Sequence, residues 1–113
     1  MLANKLSGKD CVAVIAPTDV VLSDQDVVQP DVFVVCDKKK ITENNIQGAP
    51  DLVIEVMSPS TAAKDSREKK ALYEKYGVRE YILVHPIEAY LERFFLKDGK
   101  YELPEVFGAQ DTL

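Results

Sequence analysis

The sequence predicts an α+β (α/β-like) fold, a mixed β-sheet with one main helix after the strand that carries Glu55. Three observations carry this. Apolar, β-branched runs such as "CVAVIAP", "DVFVVCD" and "DLVIEVM" recur between turn residues, at strand length. One stretch, "KDSREKKALYEKYG", has helical spacing instead. The order strand, helix, strand around it calls for a right-handed crossover and so a parallel pair.

The chain has 113 residues, so one domain with a small core is expected. Hydrophobic residues make up 46% and charged residues 29%, an ordinary globular balance. No apolar run approaches the ~20 residues that span a bilayer. "MLANKLSGKD" lacks the apolar core of a signal peptide, so a cytoplasmic protein with no membrane contact is expected. The net charge of -5 argues against broad electrostatic adhesion to nucleic acid. It leaves a metal-dependent site open, because such a site uses carboxylates and the metal supplies the positive charge.

"CVAVIAP" (Cys11 to Pro17) reads as a buried strand, and Pro17 and Asp19 as a turn. "DVVLS" is a second short strand, closed by the polar turn "SDQD" (Ser23 to Asp26). "VVQPDVFVVCD" gives a strand centred on Val32 to Cys36, with Pro30 at its start because proline has no N–H to donate. Cys11 and Cys36 both sit in such runs and read as buried free thiols. "KKKITENNIQG" is a polar connector.

The next strand, Asp51 to Met57, contains an anomaly. Glu55 stands inside Leu52-Val53-Ile54-Glu55-Val56-Met57, where a carboxylate is costly unless paired or bound to a metal. Alternation puts Asp51, Val53, Glu55 and Met57 on one face and Leu52, Ile54 and Val56 on the other. An exposed strand face, with Glu55 in water, is the plainer alternative.

Asp65 and Glu68 have capping-box spacing, so a helix is expected from about Ser66 to Tyr76, with Gly77 as its stop. Leu72, Tyr73 and Tyr76 share a face, and Lys69 points the same way, either toward Glu55 or snorkelling over the core edge. "VREYILVHP" (Val78 to Pro86) is the strand after the helix, and "AYLERFFLKDGKYEL" is a hairpin turning at Asp98-Gly99. His85, the single histidine, cannot build a zinc site and is given a structural role.

Three segments together resemble a known family: "APTDVVLSDQDVVQPDVFVVCD", "GAPDLVIEVMSPST" and "KDSREKKALYEKYGVREYILVHP". The motifs are Gln-Pro-Asp, Pro-Asp-Leu-x-x-Glu-Val-x-Ser-Pro-Ser, and Asp-x-x-x-Lys-x-x-x-Tyr-x-x-x-Gly-Val-x-Glu-Tyr. They resemble the Uma-two restriction endonuclease family of the PD-(D/E)XK nuclease superfamily, over about Val14 to Leu96.

The resemblance implies a restriction-endonuclease-like sheet and a metal-dependent endonuclease acting on DNA. It implies that Asp31, Glu55 and Lys69 are catalytic. Asp31 and Glu55 would hold magnesium, or manganese, and Lys69 would take the place of the lysine expected where Met57 stands. Asp51, Asp65 and Tyr73 would support them from behind, although Asp51 also reads as a strand-start residue and Asp65 as a helix cap. Lys64, Arg67 and Lys70 would contact nucleic acid; the bland reading is a solvated helix face.

Relatives of this kind are longer. They begin with a helical region that supplies a glutamate and continue to a final strand. The chain therefore reads as the middle of such a domain, with a homodimer or higher oligomer expected to cover its exposed face. A degenerate nuclease fold that binds nucleic acid or protein without cutting is the alternative, and so is a structural oligomer.

Overall fold

Alternation along "DLVIEVM" organises the molecule. The computed structural model describes residues 11–58 and 63–108. In it Leu52–Val56 forms a central strand whose two faces serve two apolar layers. Val53 is fully buried on the face that also carries Glu55, while Leu52 and Ile54 pack on the other.

In chain order the strands are β1 (Val12–Ile15), β2 (Val20–Val21), β3 (Val27–Val28), β4 (Val32–Val35), β5 (Ile46–Gln47), β6 (Leu52–Val56), β7 (Glu80–His85), β8 (Tyr90–Lys97), β9 (Lys100–Tyr101) and β10 (Glu105–Gly108). The helix α1 (Ala63–Lys75) lies between β6 and β7. The main sheet runs β1-β4-β6-β7-β8-β10, with β9 pairing β8. Only β6 and β7 are parallel within it, as the crossover through α1 requires. A small sheet, β3-β2-β5, packs beside it.

The core lies between α1 and one face of the main sheet. Tyr73 from the helix meets Phe33, Val53, Tyr81, Leu83 and Phe94 from the strands, with Val20 and Ile46 from the small sheet. Burying side chains of this size stabilises the fold by about 1.5–3 kcal/mol each. The hairpin that carries β2 and β3 is also tied to α1 by polar contacts, since Tyr76 Oη donates to Asp26 Oδ2 at 2.6 Å.

The helix stop reads as expected. Gly77 has φ +81°, and Val78 N–H donates to Tyr73 O while Gly77 N–H donates to Glu74 O, the Schellman pattern. The hairpin turn also holds, because Asp98 and Gly99 both have positive φ, as a type I′ turn demands.

Several expectations are corrected. Cys11 and Cys36 are not free thiols; they form a disulfide. The β1–β4 register explains why, since Val12 faces Val35 and the next residues outward are the two cysteines. The "CVAVIAP" run is not a buried strand but an edge strand, with Ile15 exposed. The run before Cys36 is two strands, β3 and β4, split around Pro30. The helix begins at Ala63 rather than Ser66, so Asp65 falls in its first turn and is not its cap. The polar connector holds a short 3-10 turn (Lys38–Lys40) and β5, whose Ile46 is buried in the core. β10 was not anticipated; it pairs with β8 from Glu105↔Arg93 to Gly108↔Tyr90.

Candidate active site

Asp31 and Glu55 meet where β4 starts and β6 ends. The antiparallel register pairs Val32 with Ile54, so the next residues, Asp31 and Glu55, come side by side on the helix face. They clasp each other through the backbone. Asp31 N–H donates to Glu55 Oε1 at 3.1 Å, and Val56 N–H donates to Asp31 Oδ2 at 2.7 Å.

The helix supplies the remaining groups. Ser66, Lys69 and Tyr73 recur at helical spacing and so share the face turned to the sheet. Tyr73 Oη donates to Glu55 Oε2 at 2.6 Å, and Lys69 Nζ lies 3.9 Å from the same oxygen. A hollow of about 260 Å³ opens above them, lined by Asp31, Glu55, Met57, Ser66, Lys69 and Leu83, among others.

Glu55 is the one buried charged or polar side chain among the described residues, at 6% exposure. Burial pushes its carboxyl above the usual range; the Tyr73 hydroxyl, the Asp31 N–H and the Lys69 ammonium pull it back, and the Asp31 carboxylate adds to the upward push. Burial and the neighbouring Glu55 charge push the Tyr73 phenol far above its ordinary value, so Tyr73 remains a proton donor to Glu55.

The donor set suits a hard divalent cation. Magnesium binds through one or two carboxylates, keeps several waters and takes the rest of its shell from substrate phosphate. Two carboxylates on the wall of an open hollow fit that pattern. Among the described residues no group of three His, Cys, Asp or Glu side chains is placed to cage an ion alone.

Of the residues singled out in the sequence, Asp31, Glu55, Lys69 and Tyr73 come together. Asp51 does not. It starts β6, roughly 13 Å of extended chain from Glu55. There its carboxylate accepts from Cys36 N–H at 2.6 Å and from Arg79 Nη2 at 2.6 Å. This is the strand-start role that the sequence also offered for Asp51, on the same face as Glu55 but away from it along the strand.

Lys70 turns to the other flank of α1, with Nζ 4.2 Å from the centre of the Phe94 ring, and does not line the hollow. Arg67 is exposed on the helix and also lies outside the lining. The side chains of Lys64 and Asp65 lie outside the described residues. Sequence reasoning missed Ser58 and Ser66 as lining residues. Ser66 was detectable, since it precedes Lys69 by three on a helix.

A family model described as "Uma2: Putative restriction endonuclease" matches residues 1–113. An uncharacterised protein of Synechocystis sp. is 31% identical over 117 aligned residues, which cover 100% of this chain and 60% of that protein. A crystal structure described as a "putative nuclease belonging to DUF820", from Anabaena variabilis, superposes with a TM-score of 0.73 at 20% identity, over 96% of this chain and 60% of that one. The chain thus spans about 60% of the length of these relatives. The superposition establishes the shared restriction-endonuclease-like fold.

Proposed function

Since the chain belongs to the Uma2 family of restriction-endonuclease-like proteins, we propose that its acidic hollow hydrolyses DNA phosphodiester bonds with the help of a divalent cation. The observation that carries this reading is Glu55, a buried carboxylate held beside Asp31 and within 3.9 Å of Lys69 at the wall of an open cavity. A fold has no need of that burial for packing, and perturbed carboxylates in clefts mark reactive sites.

Asp31 and Glu55 would hold magnesium or manganese. Such an ion, when bound, neutralises phosphate charge and lowers the pKa of a water. The chain's own groups do the rest. Val56 N–H fixes the Asp31 carboxylate, and Asp31 N–H with Tyr73 Oη fixes Glu55, so both acids face the hollow without searching rotamers. Lys69 Nζ, at the rim, donates to a phosphate oxygen and offsets the charge that develops there. Its Nζ lies 3.9 Å from Glu55 Oε2, which supports the role that the family motif suggests for it.

A second reading rests on the same hydrogen bonds. The two carboxylates also take up the Asp31 and Val56 N–H groups at the end of the β4–β6 pair, so they would be kept in a chain that binds and does not cut. The experiment that separates the two is manganese titration of the wild type, Asp31→Asn and Glu55→Gln, followed by cleavage assays on the same samples. The nuclease reading expects manganese binding that both variants weaken, with cleavage lost in parallel. Binding unchanged in the variants would overturn the assignment.

A further inference from the structure

The acidic hollow has two walls of different kinds. Asp31, Glu55, Met57 and Leu83 come from the sheet, while Ser66 and Lys69 come from α1. The sheet wall carries the two acids that would hold the cation. We propose that the helix wall is the phosphate-binding side, and that Ser66 is a donor there beside Lys69, its hydroxyl holding a non-bridging oxygen of the phosphodiester. The proposal rests on the phosphodiester reading above and adds a substrate-holding residue to it.

Placement is the first argument. Ser66 precedes Lys69 by three residues, so their Cβ atoms lie roughly 5–6 Å apart on one face of the helix. That face is turned to the sheet. Ser66 and Lys69 are half-buried, whereas Arg67 and Glu68 between them are exposed. The long lysine side chain reaches across the hollow to within 3.9 Å of Glu55 Oε2. The short serine side chain keeps its hydroxyl on the helix side. Two donors so placed can each hold one oxygen of the same phosphate group, at hydrogen-bond lengths of about 2.7–3.0 Å.

Charge is the second. Carboxylates accept and do not donate, so Asp31 and Glu55 meet a phosphate only through a cation between them. Direct hydrogen bonds to the phosphate must come from donors, and the helix wall supplies them. The Lys69 ammonium already faces Glu55. A neutral hydroxyl adds a second donor without adding a charge beside that pair.

Availability is the third. Serine is a weaker helix former than alanine. Inside a helix its hydroxyl ordinarily turns to solvent or to the carbonyl four residues back. Ser66 instead lines the hollow, and among the described residues its side chain has no hydrogen-bond partner.

The test compares wild type, Ser66→Ala and Ser66→Thr. Each is titrated with manganese alone, unfolded in urea, and assayed for nicking of supercoiled plasmid with manganese present. Ser66→Ala is expected to keep the manganese affinity of wild type, because the acids on the sheet wall are untouched. Its stability should not fall, since alanine is the better helix former. Its kcat/KM for nicking should drop roughly ten- to a hundredfold, the loss of one hydrogen bond to a charged group. Ser66→Thr, which keeps a hydroxyl, should recover most of that loss. If wild type nicks and Ser66→Ala nicks equally fast, the role of Ser66 is overturned and the phosphodiester reading stands. The same holds if Ser66→Thr is no faster than Ser66→Ala, or if Ser66→Ala loses manganese affinity. A folded wild type that does not nick overturns this proposal together with the phosphodiester reading.

Discussion

Replacing Tyr73 with phenylalanine isolates one hydrogen bond. The ring is fully buried and packs 5.4 Å from the Tyr81 ring, so the substitution leaves packing in place and removes only the hydroxyl. That hydroxyl donates to Glu55 Oε2 at 2.6 Å and is the foremost group drawing the Glu55 carboxyl back down. A hydrogen bond to a charged group contributes about 1.5–3 kcal/mol. The sign follows from the raised pKa of Glu55. In the folded protein Glu55 holds its proton more readily than in the unfolded chain, so its contribution is fully present below the unfolded value and is lost as pH rises through the folded one. Tyr73→Phe raises the folded value further, so its cost grows with pH. Urea unfolding at pH 8 should show a loss of about 1.5–3 kcal/mol, and at pH 4 a clearly smaller one. Equal losses at both pH values, or none at pH 8, would refute this account of Glu55.

Other outcomes follow from the same geometry. Lys69→Met should abolish cleavage yet change stability by less than about 1 kcal/mol, because the 3.9 Å pair is 37% exposed on the lysine side; unfolding curves beside cleavage rates would check it. Asp51→Ala should cost about 1–3 kcal/mol by stranding the Cys36 N–H, while the folded fraction keeps its manganese affinity, measured by titration. Without reductant, thiol titration of the unfolded chain should find no reactive cysteine, because Cys11 and Cys36 are joined.

Much of this was legible in the sequence, for identifiable reasons. β6 and its two faces followed from strict alternation, and the end of α1 followed from Gly77, which only needed its positive φ to be recognised. Glu55 and Lys69 were brought together because a helix packs back over the strand it follows. The start of α1 was misjudged, because Asp65 and Glu68 have the spacing of a cap while lying inside the first turns. The disulfide was missed because it depends on the register of β1 on β4, which only pairing reveals. β5 escaped because its buried Ile46 sits in a polar run and belongs to a two-residue strand. The strand-start reading of Asp51 was legible from its Pro-Asp context, whereas its partners Arg79 and Cys36, at the start of β6, depend on tertiary pairing.

The central claim is that Asp31, Glu55 and Lys69 form a working phosphodiesterase site, and nicking of supercoiled plasmid tests it most directly. Wild type, Glu55→Ala and Lys69→Ala would be incubated with magnesium or manganese under one set of conditions. The account predicts metal-dependent nicking by wild type that both variants lose. Folded wild type that does not nick, or variants that nick as fast as wild type, would contradict it.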